Sequence, residues 1–257
     1  MGYDSVNTAR AALSSLGIVI DGCRAGNHPL VCRFMRGVFN IRPPKPRYTA
    51  TWDVQPVLQK LRSMHPTQDL TLKELTLKLV MLMSLTQAAR VQTLHLLMIC
   101  GMDVNDEYIS LPLGGNVKQC RPNFNITRLK FQAYSQDESL CVCKTLLAYL
   151  ARTKEFRQSE QQKHAKLFIS FSKPHAAVSK DTIARWVKLM ISMAGVDTTV
   201  FKAGSVRPAA ASKAKAMAVP VTCIMQKAGW SRETTFARFY DKPIVTNCDL
   251  FQDAVLQ

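Results

Sequence analysis

The sequence is poor in acid. It sets 18 Asp and Glu against 34 Lys and Arg, a formal charge of +16 at neutral pH. An excess that large favours a polyanionic partner, with nucleic acid first and an anionic membrane surface second. Paired cysteines are also missing. None of the eight cysteines forms a CxxC pair, and the five histidines never sit three to five residues beyond such a pair. That spacing argues against a zinc finger. The cysteines fall mostly in apolar runs such as LLMIC and LCVC, which predicts buried, reduced thiols in an intracellular protein. No apolar run is long enough for a bilayer. The most apolar stretch, Leu75 to Met98, is interrupted by Lys78, Gln87, Arg90, Gln92 and His95. The opening MGYDSVNTAR has no signal-peptide core, and Val6 stands where a myristoylation site needs Ser or Thr. Internal repeats and low-complexity tracts are absent as well. The expectation is a soluble protein.

What is present is a chain able to fold. Its 257 residues are 47% hydrophobic and 20% charged, enough for one large domain or two modest ones. Residues 3 to 40 read as helical, with Leu30, Phe34 and Phe39 near one face and Arg33 and Arg36 beside them. Residues 1–50 hold seven Lys or Arg against two Asp, and IRPPKPRYT places three prolines within four residues. Prolines so spaced cannot sit inside a helix, so the segment reads as a basic interdomain linker. Beyond it, DVQPVLQKLRSM is amphipathic. The stretch from Asp69 to Leu97 is helical, with a break near Ser84 to Ala89. EYISLPL and ITRLKFQAY are strands around the hairpin tip GGNVKQCRPN. SLCVCKTLLAYLARTKEFR is a helix and KLFISF a short strand. SKDTIARWVKLMISMAG is a helix with Ser179 as N-cap and Gly195 as C-cap. Three short helices follow, in FKAGSVRPAAASKAKAMAV, TCIMQKAG and SRETTFARFYDK. The fold class is mainly α with a small antiparallel β-sheet (α+β).

Five residues stand out in order along the chain: Arg90 after the helix break, Lys118 at the hairpin tip, Arg207 opening an Ala-rich helix, Trp230 after a glycine, and Tyr240 ten residues later. Each alone is ordinary. An arginine at a helix end is usually a surface charge and a loop lysine is usually solvated. A tryptophan or tyrosine in an apolar helix usually packs. Lys130 on the second strand competes with Lys118, and Arg121 lies nearby.

Taken as an ordered set, these residues resemble the catalytic domain of the tyrosine recombinase (integrase) family, especially the recombinases of Crypton-like and DIRS-like mobile elements. That family's signature runs Arg, Lys on a β-hairpin, His-x-x-Arg, His or Trp, then Tyr. Here it reads Arg90, Lys118, Gly204-Ser205-Val206-Arg207, Trp230, Tyr240. The resemblance covers nearly the whole chain. It implies a catalytic domain over residues 47–257, preceded at 1–46 by part of a helical, SAM-like core-binding domain. It implies that Tyr240 attacks the scissile phosphate to form a 3′-phosphotyrosine and release a 5′-hydroxyl. Arg90 and Arg207 would clamp the non-bridging oxygens, a task that suits a planar fork of donors. Lys118 would protonate the leaving oxygen. Trp230 would donate its indole N–H to the phosphate. No metal and no cofactor are implied. The implied partner is double-stranded DNA, with two copies per duplex and four in the synapse, no membrane, and a nuclear location for a eukaryotic element.

The pattern departs from the family at Gly204, where the family has histidine. A lost acid–base helper costs about 10²- to 10⁴-fold in rate. Pro208 follows Arg207 directly, tolerable only in the first turn of a helix. Many bacterial and phage members place the tyrosine nine residues after the His or Trp; here Phe239 holds that ninth position, and the GW…TF..FY form resembles the mobile-element branch. Three functions stay open: a strand transferase attenuated at Gly204, a non-catalytic DNA-binding relic, and a basic RNA-binding or interaction protein without recombinase ancestry. The last predicts Arg90, Arg207 and Tyr240 far apart. Whether the tail IVTNCDLFQDAVLQ docks on a neighbouring copy stays open too.

Overall fold

The computed structural model describes residues 2–118, 120, 125–157 and 166–245. The chain divides into two compact units, Met1–Arg47 and Tyr48–Gln257.

The first unit is not helical throughout residues 3 to 40. Helix α1 (Tyr3–Ser15) and helix α2 (Pro29–Ile41) flank a small hairpin, β1 (Val19–Ile20) with β2 (Cys23–Arg24), and a 3₁₀ turn at Ala25–Asn27. The hairpin turn uses positive φ at Asp21 and Gly22, which no helix accommodates. Helix α2 opens with Pro29 in its first turn, and its N-cap His28 accepts the Leu30 N–H. Gly26 lets the two helices close on the turn. Its N–H donates to Ser14 Oγ at 2.8 Å and its carbonyl accepts from Arg10 Nη1 at 2.8 Å. A Cβ there would lie 2.0 Å from Ser14 Oγ. Leu30, Phe34 and Phe39 are exposed. The residue that α2 buries is Met35.

The second unit is built around one helix buried on every side. Helix α4 (Leu72–Thr86) is buried continuously from Leu75 to Ser84. It starts at a capping box: Thr71 Oγ1 accepts the Glu74 N–H, and Glu74 Oε2 accepts the Thr71 N–H. Such a cap stabilises a helix by about 1 kcal/mol. Around α4 pack α3 (Gln55–Ser63), α6 (Val142–Thr153) and α7 (Lys180–Met193). Helix α7 has Ser179 as N-cap, accepting from the Thr182 N–H at 3.2 Å, and Gly195 just past its end at φ +82°. One side is closed by an antiparallel sheet in the order β4 (Asp103–Val104), β5 (Tyr108–Pro112), β6 (Arg128–Gln132). Ile109, Leu111 and Phe131 on its inner face belong to the main core.

KLFISF forms no strand. It contributes two isolated bridges, Met98 with Lys166 and Ile169 with Ala177, while Leu167, Phe168 and Ile169 are buried. An apolar run can enter a core without a ladder. The thiols also depart from expectation: among the described residues only Cys141 and Cys143 are buried, and Cys100 and Cys223 are exposed. Apolar neighbours in sequence mark an amphipathic helix, not which face a cysteine takes.

Three helices complete the unit: α8 (Val206–Ala216), α9 (Val221–Ala228) and α10 (Glu233–Phe239). Two short segments beyond reach of sequence patterning tie the start of this unit to residues 244–245. Thr51–Trp52 (β3) and Ile244–Val245 (β7) pair in parallel. Trp52 Nε1 donates to Ser205 Oγ at 2.9 Å, and Ser205 Oγ donates to the Lys202 carbonyl at 2.7 Å. That chain fixes the turn entering α8. Trp52→Phe is expected to cost about 1–3 kcal/mol by removing the bond and some buried area. Thermal unfolding checks this, and an unchanged Tm would mean the turn is held elsewhere.

Candidate active site

The site forms where α4 ends. After Thr86 the chain turns at Ala88, whose φ of +40° breaks the helix. Arg90 then becomes the N-cap of α5 (Val91–His95). The Ala88 turn directs its carbonyl to Arg207, whose Nη1 donates to it at 2.5 Å. Arg207 Nη2 donates to the Ala228 carbonyl at 3.2 Å. One guanidinium thus joins the end of α4, the start of α8 and the end of α9. Arg207 is only 4% exposed, on a helix whose first turn also holds Pro208. Proline is harmless there, because the first-turn N–H has no partner within the helix.

Gly229, at φ +69°, ends α9 in the left-handed region. The Trp230 N–H reaches back to the Met225 carbonyl at 2.9 Å. The sharp turn lays Trp230 against Phe236 and Tyr240, with ring centroids 5.5 and 4.2 Å apart. These rings form a small second core with Ala88, Ala211, Ile224 and Ala228. Arg207 Cζ lies 4.9 Å from the Trp230 ring and 5.4 Å from the Tyr240 ring. A cation over an aromatic face is attracted by the ring quadrupole.

Tyr240 lies just beyond α10, as its C-cap, and not within a helix running on to Lys242. Its backbone is held from α8. The Tyr240 carbonyl accepts from Ser212 Oγ at 3.0 Å, and the same hydroxyl accepts the Lys242 N–H at 3.0 Å. Lys215 pairs with Asp241. Arg207 and Ser212 share one helix, so α8 positions both the buried guanidinium and the tyrosine. Ser212 was not legible as a site residue; only its distance of five from Arg207 hints at it.

The electrostatics are those of an anion site. Burial, and then the like charge of Arg90, pull Arg207 down to about 10, opposed by the Tyr240 hydroxyl. The guanidinium stays charged at neutral pH. Arg90 Nη1, Arg207 Nε and Trp230 Nε1 are buried donors without a partner. Buried donors are almost always satisfied in folded proteins, so each orphan calls for a ligand or water.

The lysines separate. Lys118 is exposed in the loop between β5 and β6, one residue after Val117. Val117 lines a small cavity together with Arg207 and Leu129. Lys130 neighbours Leu129 on β6, so its side chain leaves the opposite face, with Nζ 3.5 Å from the centre of the Tyr108 ring. Arg121 lies outside the described residues, as does the chain beyond Val245. Lys227, unremarked in the sequence, lines the same cavity as Arg207, and burial lowers its pKa. Gly204 is exposed in a 3₁₀ turn, Ala203–Ser205, and a Cβ built on it meets nothing within 4 Å. The structure brings Arg90, Arg207, Trp230 and Tyr240 to one place, with Gly204 three residues from Arg207.

Among the described residues no cluster of three or more His, Cys, Asp and Glu could hold a metal ion. Among them, too, no helix is long and apolar enough to cross a membrane.

No protein-family profile matches the chain, and no curated protein matches it. Solved structures do. A XerA recombinase, 13% identical, aligns over 99% of this chain and 82% of its own with a TM-score of 0.53. The XerH site-specific recombinase bound to its difH substrate, in a pre-cleavage complex, is 11% identical over 99% and 69%, with a TM-score of 0.55. XerH on a palindromic difH substrate, in a post-cleavage complex, is 10% identical over 91% and 67%, with a TM-score of 0.54. A helical unit enclosing α4, a small antiparallel sheet, and a C-terminal run of short helices make this chain's architecture the tyrosine recombinase fold.

Proposed function

We propose that this chain is a DNA strand transferase of the tyrosine recombinase family that breaks and rejoins DNA through a 3′-phosphotyrosine, at a rate limited by Gly204. The observation that carries the reading is the buried Arg207 against the Tyr240 and Trp230 rings, beside unpartnered donors of Arg90 and Trp230. Phosphoryl transfer asks for little covalent chemistry beyond a placed nucleophile and charge stabilisation. The Tyr240 oxygen attacks phosphorus. Arg90, Arg207 and the Trp230 indole N–H hold the non-bridging oxygens, already aimed and already desolvated, where such donors act most strongly. Lys118 gives a proton to the departing 5′ oxygen. The phenolic proton passes to water, because Gly204 has no side chain to take it. The new phosphodiester keeps the energy of the old one, so a second hydroxyl can reverse the step. The Met1–Arg47 unit serves as part of a core-binding domain, and the Tyr48–Gln257 unit carries catalysis. The chain acts on double-stranded DNA as a dimer per site and a tetramer in the synapse, in the nucleus, as the product of a mobile element.

The test is covalent trapping on nicked DNA carrying the element's own ends. A protein–DNA adduct with a free 5′-hydroxyl is expected. Absence of any adduct, with DNA binding intact, would favour the second reading, a DNA-binding relic. Gly204 is the observation in that reading's favour. Binding itself is expected to weaken steeply with salt. For about six to ten phosphate contacts, affinity should fall about 10³- to 10⁵-fold between 50 and 200 mM. A flat salt response would remove DNA as the partner of the +16 chain.

A further inference from the structure

Hydroxyls on the two core helices α4 and α6 share one hydrogen-bonding pattern. Thr76, Ser84 and Thr86 on α4, and Thr145 and Thr153 on α6, each donate to the carbonyl four residues back at 2.6–2.9 Å. That return bond is the usual fate of a helical Ser or Thr. Thr93 does not follow it. Its helix, α5, begins at Val91, so the residue four back lies outside the helix, and Thr93 Oγ1 is buried without a partner. Thr93 instead lines a cavity of about 20 Å³ whose wall also includes Arg207. Arg207 Nε is likewise buried and without a partner. The rest of the wall is aliphatic at Ala89, Val117, Ile126 and Leu129, with Gln87 and Lys227 as its other polar residues.

Two residues with orphaned polar atoms lining one space of that size meet the requirements of one internal water. A water needs roughly 10–15 Å³ and at least two polar partners. A bridging water is worth nearly as much as a direct bond. We propose that Thr93 is a positioning residue for Arg207, acting through a single buried water that accepts the Arg207 Nε–H and hydrogen-bonds Thr93 Oγ1. The Ala88 and Ala228 carbonyls hold the far end of the guanidinium. The water holds its near edge, so the plane cannot swing about either carbonyl. Arg207 is then pre-set against the Tyr240 ring before DNA arrives. The link to catalysis rests on the strand-transferase reading above; the hydrogen-bonded water does not.

The experiment compares the full chain with Thr93→Val, which keeps shape and loses the hydroxyl, and Thr93→Ser, which keeps the hydroxyl. Three quantities are read: hydrogen exchange of the Arg207 Nε–H by NMR, its NOE to water, and the rate of adduct formation on nicked DNA. The parent is expected to show a slowly exchanging Nε–H with a water NOE. Thr93→Val is expected to lose both, and to cleave about tenfold to a hundredfold more slowly, the scale of a small misplacement of a catalytic group. Its DNA affinity and Tm should stay close to the parent's. Thr93→Ser is expected to behave as the parent. A parent Nε–H without a water NOE overturns the proposal, and needs no variant to fold. So does a Thr93→Val chain with undiminished protection, or a Thr93→Ser chain as damaged as Thr93→Val. If the parent gives no adduct, the strand-transferase reading fails alone, and the exchange and NOE measurements still decide the role of Thr93.

Discussion

Replacing Tyr240 by phenylalanine is expected to abolish the covalent protein–DNA adduct while leaving the fold and DNA binding in place. The change removes one oxygen. The ring that packs 4.2 Å from Trp230 and 5.4 Å from Arg207 is retained, and so is the backbone bond from Ser212. Half-buried packing of this kind is insensitive to the phenol, so stability should change by no more than about 0.5 kcal/mol. The hydroxyl itself has no substitute at the site. Tyr108 sits beneath Lys130 on the far face of the sheet. The loss should therefore be complete and not a mere slowing. Trapping on nicked DNA with both chains, beside a binding isotherm and a melting curve, reads all three quantities. An adduct that survives in Tyr240→Phe would move the nucleophile elsewhere and sink the assignment of Tyr240.

Much of this was written in residue order and little in residue contact. The helix break before Arg90, the hairpin, and the helices bearing Arg207, Trp230 and Tyr240 leave strong local marks: a capping box, glycines at turns, and period-two strands. Of these, the turn glycines and the strand alternation gave the α+β class, and the resemblance to the recombinase signature gave the ordered set of candidates. What escaped was everything decided by tertiary packing. The hairpin inside residues 3 to 40 competes with a good helical pattern and wins through two adjacent residues of positive φ, Asp21 and Gly22. The segment KLFISF has strand composition, but its neighbours offer single bridges and no ladder. The parallel pair of Thr51–Trp52 with Ile244–Val245 joins segments almost two hundred positions apart, beyond any local signal. Ser212, Lys227 and Thr93 have the same history. A serine, a lysine and a threonine are unremarkable in helices. They matter through what they face: the Tyr240 carbonyl for one, and the cavity beside Arg207 for the other two. The choice between Lys118 and Lys130 shows the same limit. Alternation along β6 puts Lys130 on the face opposite Leu129, a placement no sequence pattern around Lys118 and Lys130 could supply.

Introducing histidine at position 204 is expected to raise the rate of adduct formation by about 10²- to 10⁴-fold, the usual worth of a placed acid–base group. The backbone permits it. Gly204 does not occupy the left-handed region that would demand glycine, and a Cβ there has no neighbour within 4 Å. It lies three residues before Arg207, in a 3₁₀ turn running into α8, and residues three apart on such a turn share a face. The turn is already braced by the bonds from Trp52 to Ser205 and from Ser205 to Lys202, so a new imidazole inherits a fixed platform. Exposure of the position means no packed atom has to move. The gain should depend on pH. A neutral imidazole can accept the phenolic proton and an imidazolium cannot, so the advantage should shrink as pH falls through about 6.5. Gly204→Ala separates chemistry from rigidity, since both substitutions reduce the freedom of the unfolded chain by about 0.4–1 kcal/mol and only histidine moves a proton. A rate gain in the histidine variant and none in the alanine variant would locate the attenuation at this one missing side chain. Equal rates in all three chains would mean that proton transfer at the tyrosine is not limiting here, and that Arg90, Arg207 and Trp230 set the barrier by themselves.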